Sequence, residues 1–90
     1  MLYRLFIGAD NKTKRLDKKT IMATALRYYP AGFTYYETAG VWQGGQEKSA
    51  VVEILARSKT KAVKLAKELK KTLKQDAVLI QSLKTSADFI

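Results

Sequence analysis

The stretch from Gly32 to Gln46, GFTYYETAGVWQGGQ, constrains the fold of this chain more than any other part of the sequence. It carries four of the five glycines and the only tryptophan. Aromatic residues come first and glycines follow, which predicts a β-strand over residues 33–41 and an exposed connection over residues 42–46. The β-branched run at 49–56, SAVVEILA, predicts another strand. The Gly44-Gly45 pair between them predicts a β-hairpin, because glycine tolerates the positive φ of tight turns.

The residues before this stretch predict one strand and one helix. Residues 2–9, LYRLFIGA, are apolar and aromatic and predict a first strand that Gly8 ends. The polar residues 10–15 predict a loop, and Asp17 is a good helix N-cap. Pro30 ends the helix because it has no N–H to donate. The apolar side chains expected on one helical face are Ile21, Met22, Ala25, Leu26 and Tyr29.

The residues after the hairpin repeat this strand–helix–strand pattern. Ser58 or Thr60 caps a second helix that ends at Gln75-Asp76. Its apolar stripe consists of Ala62, Leu65, Ala66, Leu69 and Leu73. Residues 77–83, AVLIQSL, predict a fourth strand, and the closing Phe89-Ile90 docks on the domain or adds a short edge strand.

The element order is therefore βαββαβ within one domain, residues 1–90. Two βαβ units with right-handed crossovers form a four-stranded antiparallel sheet with both helices on one face, an α+β ferredoxin-like sandwich. Tyr35 and Tyr36 point to opposite sides of that sheet, so we expect one in the core and one free to bind. Alternation alone leaves open which tyrosine faces the helices.

Composition narrows the function classes. Lys and Arg number 17 against 8 Asp and Glu, a net charge of +9, which favours nucleic acid, nucleotides, acidic proteins or membrane surfaces as partners. Cysteine and histidine are absent, which removes thiolate chemistry, the commonest general base and the commonest zinc ligand. We expect no metal and no cofactor, and an enzyme is the least favoured class.

Two carboxylates, Glu37 and Glu53, could together serve as metal ligands or as an acid–base pair. Glu37 and Glu53 lie on strands that we expect to pair, where they could hold a metal or act as acid and base. Separate cross-strand pairs with lysines are the favoured alternative. The N-terminus is too short and polar for a signal peptide, and no apolar run approaches the roughly 20 residues of a membrane span. These features predict a cytoplasmic protein.

The residues Gly32-Phe33-Thr34, Glu37 and Gly40 resemble the second strand of the PII signal-transduction family, and the element order matches as well. This resemblance implies a small trimer that binds nucleotides and other small anions in clefts between subunits, near the second-to-third strand connection. The long loop of that family is reduced here to residues 42–47. Its glycine-containing phosphate loop is replaced by residues 74–76, so the resemblance implies a PII-like protein with a different ligand or with none.

A second motif, Leu5-Phe6-Ile7-Gly8, is similar to the first-strand motif of the RNA recognition motif, which has the same element order. That domain stacks bases on aromatics of its first and third strands. The predicted third strand of this chain contains no aromatic residue. This departure argues against ordinary RNA recognition.

Three functional hypotheses follow. The first is a non-enzymatic PII-like oligomer, with a trimer favoured, that senses or sequesters an anionic, nucleotide-like signalling ligand. Its candidate site residues are Tyr35, Tyr36, Trp42, Gln43, Gly44, Gly45, Arg4, Arg15, Arg57 and Arg27. The second is a nucleic-acid binder that uses the second helix, with the residues Lys61, Lys64, Lys67, Lys71 and Lys74. The third is a purely structural oligomer.

Overall fold

A computed structural model describes residues 1–10, 13–42, 44–86 and 88. The elements follow in the order β1 (Leu2–Gly8), α1 (Lys18–Tyr28), β2 (Thr34–Trp42), β3 (Gly45–Leu55), α2 (Thr60–Thr72) and β4 (Leu79–Leu83). The predicted βαββαβ order is confirmed. The prediction for Phe89-Ile90 lies outside the described residues.

The four strands form one antiparallel sheet in the order β2-β3-β1-β4. Its central strands are β1 and β3. Their pairing runs from Leu2 opposite Leu55 to Gly8 opposite Ser49. Tyr3, Leu5 and Ile7 of β1 lie opposite Ile54, Val52 and Ala50 of β3 and are all buried. These six side chains form the sheet half of the core, and the ferredoxin-like prediction is confirmed.

Both helices cover this same face of the sheet. Ile21 and Ala25 of α1 join Leu65 and Leu69 of α2 in the core, and all four are fully buried. Burying aliphatic side chains of this size stabilises the fold by roughly 1.5–3 kcal/mol each, so the core residues dominate stability. The opposite face of the sheet carries no helix in the described part of the chain.

The first helix begins as predicted. The Asp17 carboxylate accepts hydrogen bonds from the backbone N–H and the hydroxyl of Thr20, at 3.1 and 2.8 Å. The prediction for Leu26 was wrong, because this side chain is 50 % exposed. At about 100° per residue, Leu26 lies about 140° around the helix axis from the buried Ile21. Thr24 is buried in place of Leu26, and its hydroxyl donates to the Thr20 carbonyl at 2.7 Å.

The second helix ends at Thr72, before the predicted Gln75-Asp76. Lys74 adopts a left-handed conformation with φ 53°, which the helix cannot continue through. At the other end the predicted cap, Ser58 or Thr60, was wrong, because the N-cap residue is Lys59 and its side chain forms no capping bond. The Ser58 hydroxyl accepts a hydrogen bond from the Thr60 N–H at 3.2 Å. The fourth strand correspondingly begins at Leu79 rather than at residue 77.

The hairpin between β2 and β3 is confirmed, but its turn is displaced from the prediction. Trp42 pairs with Gly45, so Gly45 belongs to β3 and the turn contains Gly44, with φ 78°. The third strand therefore begins at Gly45 rather than at Ser49. Since β1 ends opposite Ser49, the pairs beyond that residue form a two-stranded arm that projects from the sheet.

Neither α1 nor α2 combines the length and apolar character that a membrane-crossing helix requires, in the part of the chain that the structure describes.

Candidate functional site

The sheet face opposite the helices is largely apolar; we call it the open face. Three of its leucines are exposed to solvent, Leu55 by 59 %, Leu79 by 58 % and Leu83 by 37 %. Val51 also points to this face, between its cross-strand neighbours Phe6 and Tyr36, and it is fully buried. Exposed apolar side chains grouped on one sheet face are typical of an interaction site.

A polar cluster interrupts the open face beside Val51. The Arg4 Nε atom lies 3.4 Å from the Glu53 Oε2 atom, across the β1–β3 pairing. A hydrogen bond from the Tyr36 hydroxyl to the Glu53 carboxylate raises the pKa of Tyr36, and slight burial adds to this effect. Tyr36, Glu53 and Arg4, which we call the Tyr36 cluster, thus unite an aromatic ring, a carboxylate and a guanidinium.

Sequence reasoning named Tyr36 and Arg4 as candidates but missed their link through Glu53. It considered Glu53 as a partner of Glu37 instead. That disfavoured pairing does not form, because Glu53 lies opposite Thr34 on the open face whereas Glu37 lies opposite Ala50 on the helix face. Among the described residues, no group of three or more potential ligand side chains could hold a metal ion.

Tyr35 lies on the helix face, away from the Tyr36 cluster. Its ring packs against the core, and its hydroxyl donates to Glu37 Oε2 at 2.9 Å. The Lys18 Nζ atom lies 5.6 Å from the centre of the ring. Burial, followed by the hydrogen bond to Glu37 and the Glu37 charge, raises the pKa of Tyr35 to about 12. The two neighbouring tyrosines therefore serve different surfaces.

The other predicted ligand residues are spread along the molecule. Trp42, Gly44 and Gly45 lie at the tip of the hairpin arm, and Gln43 lies outside the described residues. Arg57 follows the far end of β3, which spans about 33 Å from Gly45 to Leu55 at 3.3 Å per residue. A single chain does not bring these residues into one site.

Arg15 lines a surface cleft of about 480 Å³ between the β1–α1 loop and the end of α2. Leu16, Ile21 and Leu73 contribute apolar surface to the cleft, and Lys74 lies on its other side. The complete lining consists of Gly8, Asp10, Thr13, Arg15, Leu16, Asp17, Ile21, Thr72, Leu73, Lys74 and Gln75. Nothing in the local sequence around Arg15 or Lys74 signals that they line the same cleft.

The lysines of α2 form a separate basic surface. Lys64, Lys67 and Lys71 are exposed and lie within about 60° of one another around the helix. Glu68 is not available to neutralise them, because it forms an ion pair with Arg27 and accepts a hydrogen bond from Tyr28 at 2.9 Å. Lys61 differs from this stripe, since its Nζ atom lies 5.3 Å from the Tyr29 ring.

These features define a small α+β protein with a ferredoxin-like fold, an apolar open face and an excess of exposed cations. Two solved structures share the fold. A phage SAM lyase in its apo state is 24% identical, with a TM-score of 0.66 over 88% of this chain and 75% of that chain. The periplasmic divalent cation tolerance protein CutA from Archaeoglobus fulgidus is 17% identical, with a TM-score of 0.55 over 99% and 88% of the two chains. No protein-family model matches the sequence, and the search of curated proteins found no significant match.

Proposed function

We propose that this chain is a non-enzymatic, PII-like binding protein that self-associates and holds an anionic, nucleotide-like small molecule as a sensor or a sequestering protein. The observation that carries the proposal is the open face, where exposed leucines surround a tyrosine, a glutamate and an arginine. An apolar surface supports association, and the Tyr36 cluster supports recognition of a ring that bears charge.

Self-association is supported by the exposed leucines of the open face. Leu55 and Leu79 are each more than half exposed, so covering them in an interface stabilises the assembly by roughly 1 kcal/mol per leucine. A domain of this size also buries a modest share of its surface when alone. A homotrimer is the assembly that we propose, in line with the sequence resemblance.

An adenosine-containing ligand is the first choice among nucleotide-like molecules. The similar phage protein is, by its name, a lyase of S-adenosylmethionine, a molecule that combines adenosine with a charged amino-acid tail. In the Tyr36 cluster, the ring of Tyr36 offers a stacking surface, and the Arg4 guanidinium offers donors for a carboxylate or phosphate. Removing either side chain tests this assignment.

The decisive experiment measures the mass of the protein in solution and identifies any co-purified nucleotide by absorbance and mass spectrometry. Thermal shifts with AMP, ATP and S-adenosylmethionine then compare the wild type with Tyr36→Ala and Arg4→Gln. Lys64→Gln is the matched control, because this exposed lysine lies on α2, away from the open face. We expect an oligomer whose ligand-induced shift is smaller in the first two variants and unchanged in Lys64→Gln. A monomer that no nucleotide stabilises would refute the proposal.

Catalysis is a second candidate, favoured by the likeness to the phage lyase together with the Tyr36–Glu53 hydrogen bond. The same samples decide between binding and catalysis when S-adenosylmethionine is incubated with the protein and followed by chromatography. Recovery of intact ligand supports a binding protein. Steady consumption that is lost in Glu53→Gln would contradict the non-enzymatic part of the proposal.

Nucleic-acid binding is a third candidate, favoured by the lysine stripe on α2 and its lack of a free acid. Three phosphate contacts to a single strand would give a slope of about −2 in log K against log salt concentration. Reversing the charge of Lys64, Lys67 and Lys71 to glutamate should abolish such binding. Failure to retain single-stranded RNA or DNA at low ionic strength would remove this candidate.

A further inference from the structure

Two residues other than glycine adopt positive φ in the described part of the chain, Lys14 at 60° and Lys74 at 53°. This conformation brings Cβ close to the backbone carbonyl and is normally left to glycine or asparagine. A long side chain at such a position therefore calls for an explanation.

Lys74 occupies the position where a helix usually ends in glycine. Its N–H donates to the Lys71 carbonyl at 3.3 Å, and the Gln75 N–H donates to the Lys70 carbonyl at 2.9 Å. This pair of bonds is the Schellman motif, in which the left-handed residue is most often glycine because it lacks Cβ. Glycine would form the same backbone bonds here with less strain, so backbone geometry does not account for the lysine.

Lys74 lines the cleft that Arg15 also lines. Within the described residues, neither cation forms an ion pair with a carboxylate. The Asp17 carboxylate in the lining is occupied by Thr20, and these bonds hold the pKa of Asp17 below its usual value. The Asp10 carboxylate accepts a hydrogen bond from the Thr13 N–H at 2.9 Å. Asp10 and Asp17 thus accept backbone hydrogen bonds that hold the chain segments lining the cleft.

We propose that this cleft is a binding site for a small organic phosphate, whose phosphate group Arg15 and Lys74 hold together. The lining carries two cations, Arg15 and Lys74, and two carboxylates, Asp10 and Asp17, which are hydrogen-bonded to the loops. The two cations, rather than the net charge of the cleft, would therefore attract a phosphate monoester, whose charge approaches −2 near neutral pH. The Arg15 guanidinium can form two parallel bonds to phosphate oxygens, and Lys74 adds a point charge. The site lies within a single chain and its lining contains neither Tyr36 nor Arg4, so variants of those two residues leave it intact and separate it from the proposed function.

The rest of the cleft fits a molecule larger than free phosphate. Its volume of about 480 Å³ lies within the roughly 300–1,000 Å³ of small-molecule sites. Leu16, Ile21 and Leu73 provide apolar contact for the organic part, and Thr13 and Gln75 provide polar groups. We therefore expect AMP to bind more tightly than inorganic phosphate.

The test uses Lys74→Gly and a matched control, Lys14→Gly. Both substitutions relieve a left-handed lysine, but Lys14 does not line the cleft. Melting temperatures and calorimetric affinities are measured for AMP, inorganic phosphate and malonate, with sodium chloride at equal ionic strength as the reference. Each glycine variant should melt higher by about 4 °C without ligand, the scale expected for a domain of this size.

The binding results separate the two variants. Lys74→Gly and Arg15→Gln should weaken AMP binding at least tenfold, whereas Lys14→Gly should bind as the wild type does. The proposal is overturned if neither phosphate compound binds beyond the sodium chloride reference, or if Lys74→Gly retains full affinity. Malonate binding as tight as AMP binding would overturn the phosphate assignment. A melting temperature of Lys74→Gly below that of the wild type would show that Lys74 occupies this left-handed position because it stabilises the fold.

Discussion

Replacing Tyr35 with phenylalanine tests the electrostatics of β2. Burial is the largest cause that raises the pKa of Tyr35 from 10.0 to about 12, and the hydrogen bond to Glu37 is the second. The folded protein therefore keeps this phenolic proton at pH values where the unfolded chain has lost it. Stability from this source is fully present below pH 10 and is lost as the pH rises towards 12.

The magnitude follows from the size of the shift. Two pKa units correspond to about 2.7 kcal/mol at 1.36 kcal/mol per unit. Tyr35 is partly exposed, and solvent screening reduces the expected loss to about 1–2 kcal/mol at pH 11.5. Tyr35→Phe has no proton to lose at this position, so it escapes that loss.

The assay is urea denaturation of the wild type and of Tyr35→Phe at pH 8 and at pH 11.5. Lysines lose their charge over this range in both proteins, so their contribution cancels in the double difference. At pH 8 the variant should be less stable by roughly 0.5–1 kcal/mol, because the bond to Glu37 is gone. At pH 11.5 this gap should close or reverse.

The variant Glu37→Gln separates the two causes of the raised Tyr35 pKa, which are burial and the hydrogen bond to Glu37. It removes the charged acceptor but leaves the burial of Tyr35, so the pKa of Tyr35 should fall and yet stay above 10 in a spectrophotometric titration. An equal loss of stability in the wild type and in Tyr35→Phe between the two pH values would refute the reasoning.

Three further predictions concern other parts of the fold. Leu55→Lys with Leu79→Lys should turn an oligomer into a folded monomer in sedimentation experiments, because both side chains are already exposed; an unchanged mass would contradict this. Asp17→Ala should lower the free energy of unfolding by about 1 kcal/mol through loss of the N-cap, with Asp17→Asn nearly neutral in urea titrations. Glu68→Ala should cost about 1 kcal/mol in the same titrations, since it removes the bonds to both Arg27 and Tyr28; a neutral result would show that this link between helices adds nothing.

Local patterns predicted most of the architecture. Asp17 begins α1, β1 ends at Gly8, and Gly44 forms the hairpin turn, because each of these depends on the chemistry of a few neighbouring residues. The turn was misplaced towards Gly45, since either glycine accepts a positive φ. Only the pairing of Trp42 with Gly45 decides between them.

The candidate sites depend on contacts that no local pattern contains. The β2–β3 register sends Tyr36 to the open face and Tyr35 to the helices, and an alternating strand fits either choice. Arg15 and Lys74 line one cleft only because both helices pack on the same face of the sheet. Their sequence neighbours offer no signal, so sequence reasoning left Arg15 among scattered arginines and Lys74 in a lysine stripe.

The carboxylates of the chain are engaged in ways that leave its cations exposed. Glu37, Glu53 and Glu68 each accept a hydrogen bond from a tyrosine hydroxyl. Glu53 and Glu68 also pair with an arginine. These three glutamates are therefore engaged within the fold and do not form ion pairs with the surface lysines in the described part of the chain. The chain as a whole has a net charge of +9. The positive field therefore belongs to exposed side chains such as Lys64, Lys67 and Lys71, whose neighbour Glu68 is engaged by Arg27 and Tyr28.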